Sequence, residues 1–308
     1  MDENNINLNQ LLFINDPDEA LNEIENIVSQ LRDDIDFSFF KKAYTDTDRL
    51  FNGNYPGYRE CNTKYHNLEH TISVTLAATR LIHGSYLEGY DFSGKNILLT
   101  MIAALFHDTG LIQAEEDIKG SGAKYTIGHE ERSIVFMKQY LGKENFSVQD
   151  LNNCSHFIMC TILNVSPELI PFYSKETETL GKIVGSADLL AQMADRYYLE
   201  RLLLLYKEFE EARLPGFDSE LVLLQKTEEF YESVAKKRLS KELGGVSEFM
   251  PIHFRDRWGI DRNLYDESIS RNIEYLKSLV VLCEDSFTCY LENLRRGGIS
   301  KEILESLK

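Results

Sequence analysis

Proline is scarce in this chain, with 6 in 308 residues, and only 18 glycines join it, so few residues are present to interrupt long helices. No window approaches the ~18 uninterrupted apolar residues of a membrane span, so no membrane partner is expected. Positive charge is in deficit: 33 basic against 50 acidic residues leave a net charge of −17. That field repels polyanions and disfavours a nucleic-acid polymer as partner, although a bound metal can still attract a small anionic substrate. The five cysteines (61, 154, 160, 283, 289) contain no Cys-x-x-Cys pair. The equal spacing of Cys154/Cys160 and Cys283/Cys289 within helical patterns is expected to reflect buried thiols in a reducing cytoplasm rather than a zinc site. The first ten residues, MDENNINLNQ, lack a basic region followed by an apolar stretch, so no export signal is expected there.

What is present is helical periodicity. Apolar residues recur every three or four positions in segments 16–34, 37–51, 67–83, 129–141, 148–163, 177–213, 219–243 and 264–296. The run KNILLTMIAALFHD at 95–108 is apolar on nearly every side and is expected to be a helix buried all round, stopped by Gly110. The segment 177–213 reads as one long helix or two in register. Segments 120–128 and 244–262 read as a flexible loop and an irregular stretch, the latter holding Trp258, the single tryptophan. No segment sustains the alternation of a strand. The expected fold is all-α, one domain over 1–308, with N- and C-terminal helices wrapped on a central bundle.

Chemistry concentrates at a few histidines and acids. His66 and His70 are four residues apart, a spacing that places both on one helix face. His107 and Asp108 end the most apolar helix, where an ionised carboxylate is costly unless paired or bound to a metal. Imidazole with carboxylate suits Zn, Fe, Mn or Co, with Mg less content with so much nitrogen. The bland alternative for His107–Asp108 is a satisfied core histidine beside a capping aspartate. The upstream Tyr65-His66-Asn67-x-x-His70 weighs against it. His83 and His253 have no evident partners.

Tyr-His-Asn-x-x-His followed by His-Asp resembles the HD superfamily of metal-dependent phosphohydrolases. Its tyrosine-led form is similar to the helical catalytic domains of cyclic-nucleotide phosphodiesterases. The resemblance spans about residues 40–200 and implies an HD-like helical core at about 60–200, with a C-terminal helical extension over 201–308. It implies a divalent metal, one or two per chain, held by His70, His107, Asp108 and a distal aspartate, Asp188, with Asp195 seven residues on as its competitor. It further implies His66 as proton donor to the leaving oxygen, and His129 and Glu130 as second-metal ligands or water-orienting groups, with Glu131 and His156 as further candidates. The implied activity is hydrolysis of a phosphomonoester or phosphodiester of a small, nucleotide-like substrate.

The chain departs from both relatives. It reads His107-Asp108-Thr109-Gly110-Leu111, without the further histidine of the cyclic-nucleotide enzymes and with Leu111 where the cyclic-dinucleotide branch has lysine. Phosphate contacts are then sought from Lys119, Lys124 and Arg132. A di-iron oxygenase and a non-catalytic metal-retaining helical module are the rival functions, and the oligomeric state is left open.

Overall fold

The computed structural model describes residues 11–14 and 16–306; the polar N-terminal decapeptide lies outside them. The fold is all-α. Thirteen α-helices and no strand occur among the described residues, and an isolated antiparallel bridge joins Tyr58 to Ala114. The helices are α1 (Pro17–Val28), α2 (Phe37–Phe51), α3 (Leu68–Leu87), α4 (Gly94–Phe106), α5 (His129–Leu141), α6 (Val148–Met159) and α7 (Lys175–Ala194). They continue as α8 (Tyr198–Glu211), α9 (Glu220–Phe230), α10 (Met250–Trp258), α11 (Leu264–Cys283), α12 (Phe287–Asn293) and α13 (Ile299–Ser306).

The core is built around α3 and α4. Every apolar residue of α4 from Ile97 to Phe106 is buried, as its all-round apolar pattern requires. Helix α3 packs on α4 and α7, α6 packs on α4 and α7, and α1, α10 and α11 cover the outside of α3 and α7. Caps fix the helix starts: Asp16, Asn67, Ser93, Ser147, Ser174, Ser219 and Asn263 each accept a first-turn backbone N–H with the side chain. Two fully buried arginines serve as structural ties. Arg80 donates to the carbonyls of Leu11 and Leu12 and to Tyr265 Oη. Arg238 donates to those of Cys160, Ile162 and Val165 beyond α6, satisfying carbonyls that the ended helix leaves open.

Several expectations are corrected. The segment 244–262 is not irregular: Met250–Trp258 is helical, with Pro251 in its first turn and Gly259 at φ +71° closing it. The helix expected over 219–243 is α-helical only to Phe230 and then widens into π-turns at Tyr231–Ala235 and Arg238–Glu242. The segment 177–213 is two helices, broken where Asp195 leaves helical geometry at ψ 130°. Likewise 264–296 divides at Glu284, whose φ is +48°. That reversal brings Cys283 and Cys289 to a Cα–Cα distance of 5.4 Å, and they form a disulfide rather than the expected thiols. The cytoplasmic expectation therefore loses the support it drew from this pair. Cys61, Cys154 and Cys160 are free. No helix is long and apolar enough to cross a membrane among the described residues.

Candidate metal centre

His70 enters the site through a capped helix start. Asn67 Oδ1 accepts the His70 backbone N–H at 3.0 Å, so His70 lies in the first turn of α3. His66 precedes that helix, so the expectation that both histidines share one helical face is corrected. The two rings still meet, with centroids 5.8 Å apart, because the extended cap residue folds the preceding chain back over the helix end. His107 caps the C-terminus of α4, and Asp108 follows in a turn. Asp188 comes from the interior of α7, which packs along α3.

His70, His107 and Asp108 offer donor atoms that all lie within 4.8 Å of one another, and all three are buried. Asp108 Oδ2 is 3.2 Å from His107 Nε2 and 3.4 Å from His70 Nε2. Asp188 Oδ1 lies 3.3 Å from His70 Nε2 and 3.7 Å from His107 Nε2. Donors bonded to one divalent ion at about 2.0–2.2 Å sit roughly 3–3.5 Å from each other, so the spacing of His70, His107 and Asp108 fits a shared ion, with Asp188 beside them. His107 Nε2 and Asp108 Oδ2 are both buried, and neither makes an aligned hydrogen bond. The tautomer is arranged for ligation as well. His107 Nδ1 lies 2.8 Å from the Ala104 carbonyl, which takes its proton and leaves Nε2 to face the cluster.

A second cluster adjoins the first through Asp108. Its other oxygen, Oδ1, is 3.2 Å from His129 Nε2, while His129 Nδ1 is 2.8 Å from the Thr126 carbonyl. Glu130 Oε2 lies 3.4 Å from His129 Nδ1. Burial would pull His107 and His129 down, but the Asp108 carboxylate outweighs it and lifts each to about 9. Asp108, pushed up by burial, is held well below the usual carboxylate range by His107 and His129. Burial raises Glu130.

His66 is held by a residue that sequence reasoning missed. Glu208, buried on α8, accepts the Tyr65 backbone N–H at 2.7 Å and sits 2.6 Å from His66 Nδ1. Burial lowers His66, but Glu208 and Asp108 more than offset it and the net shift is upward. The available signal was a glutamate in the apolar stripe of α8, three residues after Leu205, though Glu200 is buried on the same helix too. Arg201, one heptad earlier on α8, pairs with Glu69 at 2.5 Å and with Asp195 at 3.0 Å. Asp195 is thus committed to Arg201, and Asp188 is the aspartate that faces the histidines.

Other candidates lie elsewhere. The His156 ring packs against Phe172 and Tyr173, which corrects its nomination as a second-metal ligand. Glu131 is exposed. The phosphate-contact expectation is also corrected: Lys124 is bound to Asp117 at 2.6 Å, and Arg132 donates to the carbonyls of Gly110 and Ile112 and stacks on Tyr125. Those bonds hold 113–128 in place, so the loop is anchored rather than free, and Lys119 is exposed beside it. His83 and His253 have a partner after all: each other, with Nδ1 atoms 3.0 Å apart.

Compared with known proteins, the chain is similar to the Npun_R2479-like family over residues 24–128, a segment that holds His66, His70, His107 and Asp108. No curated protein and no solved structure matches it.

Proposed function

We propose that the chain is a metal-dependent hydrolase of phosphate esters, acting on a phosphomonoester or phosphodiester of a small, nucleotide-like molecule. His70, His107, Asp108 and Asp188 would hold the metal, and His66 would be the general acid. The observation that carries this reading is the buried, unbonded pair His107 Nε2 and Asp108 Oδ2 facing His70. A divalent ion bound there would polarise a phosphoryl oxygen and bring the pKa of a bound water toward neutrality. The imidazole-rich set suits Zn, Fe, Mn or Co.

The chain's own residues supply the rest. Glu208 orients His66 through Nδ1 and favours its protonated form, in which Nε2 would carry a proton for the departing oxygen. Arg201 ties the first turn of α3 to the end of α7 and so keeps His70 and Asp188 in register. Lys124 and Arg132 are engaged elsewhere, so neither is free to meet the substrate's charge.

Protein purified without added metal is expected to contain one or two divalent ions per chain and to hydrolyse an aryl phosphate or a member of a nucleotide panel. His107→Ala and Asp108→Ala should lose metal. His66→Ala should keep metal while the rate drops roughly 10²–10⁴-fold. Metal and activity retained in both His107→Ala and Asp108→Ala would sink the assignment. One observation favours a second reading: Asp108 turns its two oxygens to different histidines, as a carboxylate bridging two ions does. Two irons per chain with oxygen consumption and no ester hydrolysis would make the protein a dinuclear oxygenase.

A further inference from the structure

His66 stands outside any helix, so the place of its ring depends on what fixes the non-helical stretch 61–67. Most bonds of that stretch run within it or to neighbouring loops. Cys61 and Thr63 meet the His66 carbonyl, Asn62 binds Gln113 and Gly122, and Asn67 caps His70. From α8, Glu208 holds His66 Nδ1. Among the described residues, one side-chain hydrogen bond joins the stretch to α7, the helix that carries Asp188. In it, Tyr65 Oη donates to Gln192 Oε1 at 2.9 Å.

Tyr65 is placed to pass that contact on. Its ring is buried against both histidines, with centroids 4.8 Å from that of His66, edge-on, and 6.2 Å from that of His70. Its backbone N–H donates to Glu208 Oε1 at 2.7 Å, and the other oxygen of that carboxylate is the one that meets His66. Gln192 follows Asp188 by one turn on the same face of α7. Tyr65 therefore touches the acid, the carboxylate that orients it and the helix of a proposed ligand. A phenylalanine would fill the same space; the hydroxyl adds a directed bond to α7.

We propose that Tyr65 and Gln192 form a positioning pair, whose hydrogen bond fixes where His66 stands relative to the metal ligands. The inference rests on the hydrolase reading and adds the residues that aim its acid. In that reaction water forms the new bond to phosphorus as the bond to the leaving oxygen breaks, and the proton on His66 Nε2 goes to that oxygen. An aryl oxygen departs with little help, whereas an alkyl oxygen needs the proton. A misaimed acid therefore slows alkyl esters selectively.

The test uses the metal-loaded full chain and its Tyr65→Phe, Gln192→Leu and doubly substituted variants. Rates are read on aryl esters, nitrophenyl phosphate and bis(nitrophenyl) phosphate, and on alkyl esters, a nucleoside monophosphate and a dinucleoside monophosphate. Each single variant is expected to keep its metal and to lower kcat with KM little moved, so that the alkyl-to-aryl rate ratio drops roughly tenfold or more. The double variant should be no worse than either single one, because the same bond is lost in all three. His66→Ala should show the same selectivity more strongly. The pair is overturned, with the hydrolase reading intact, if the variants cleave like the wild type, slow both ester classes alike, lose metal or have additive effects, or if the wild type cleaves aryl esters alone. A wild type that cleaves neither class sinks the hydrolase reading and the pair with it.

Discussion

His83 and His253 meet in the interior with their Nδ1 atoms 3.0 Å apart, so one ring donates and the other must accept. Burial lowers the pKa of both. Arg80 and Arg257 add to the effect on His253, and Arg257 to that on His83, where Asp256, 3.8 Å from Nε2, opposes it. Folded values below the ordinary ~6.5 of histidine mean the pair's contribution is fully present above that pH and lost as pH falls through the window beneath it. The urea midpoint of the wild type should therefore fall between about pH 7 and pH 5, more steeply than that of His253→Gln; equal pH slopes would place the acid sensitivity elsewhere. The pairing was illegible in the sequence because 170 residues separate the partners and each has ordinary helical neighbours. The opposite holds for His70, whose place at a helix start is written locally in Asn67 three residues before it.

At the scale of elements, two docking contacts set the site. Helix α5 reaches Asp108 because Gly110 has no side chain: a Cβ there would stand 2.0 Å from the His129 carbonyl oxygen and 2.7 Å from the Ser133 nitrogen. Gly110 was expected to stop α4; its φ is not positive, and its role is close approach to α5. Gly110→Ala should cost about 1–3 kcal/mol or more of stability in a denaturant titration and pull His129 off Asp108. A variant as stable as the wild type with unchanged metal content would show that α5 can shift freely. Helix α8 is the other contact, carrying Arg201 and Glu208 seven residues apart on one face. Its helical nature was legible from its leucines. Its service to the site was not, since a single sequence does not reveal which carboxylate in an apolar stripe meets a histidine at the far end of the bundle.

For the whole molecule, the all-helical class followed from periodicity and from scarce proline, whereas the breaks at Asp195 and Glu284 did not. Asp195 leaves the helix at a bond to Arg201, and Glu284 turns where the disulfide closes; both are tertiary constraints. Stability should be coupled to metal. Without an ion, His107 and His129 at about 9 are cations beside Asp108. Raised values of that kind stabilise fully below the unfolded ~6.5, and the contribution is lost as pH rises through about 9. Protons compete less with metal over the same range. The melting-temperature difference between metal-loaded and chelator-treated protein is therefore expected to widen from about pH 6.5 to pH 9. A constant or narrowing difference would argue against His107 and His129 as proton-competed ligands.

The bond from Glu208 to His66 spans 142 residues, and Asp188 stands 80 positions beyond Asp108. A chain growing from its N-terminus therefore exposes His66, His70, His107 and Asp108 long before the groups that complete them. An ion caught early would meet three donors and an unsteadied acid. Under the proposed function, full retention would wait until α7 and α8 have been made and docked. On the metal-dependent reading proposed above, the centre would be completed only when its own synthesis is.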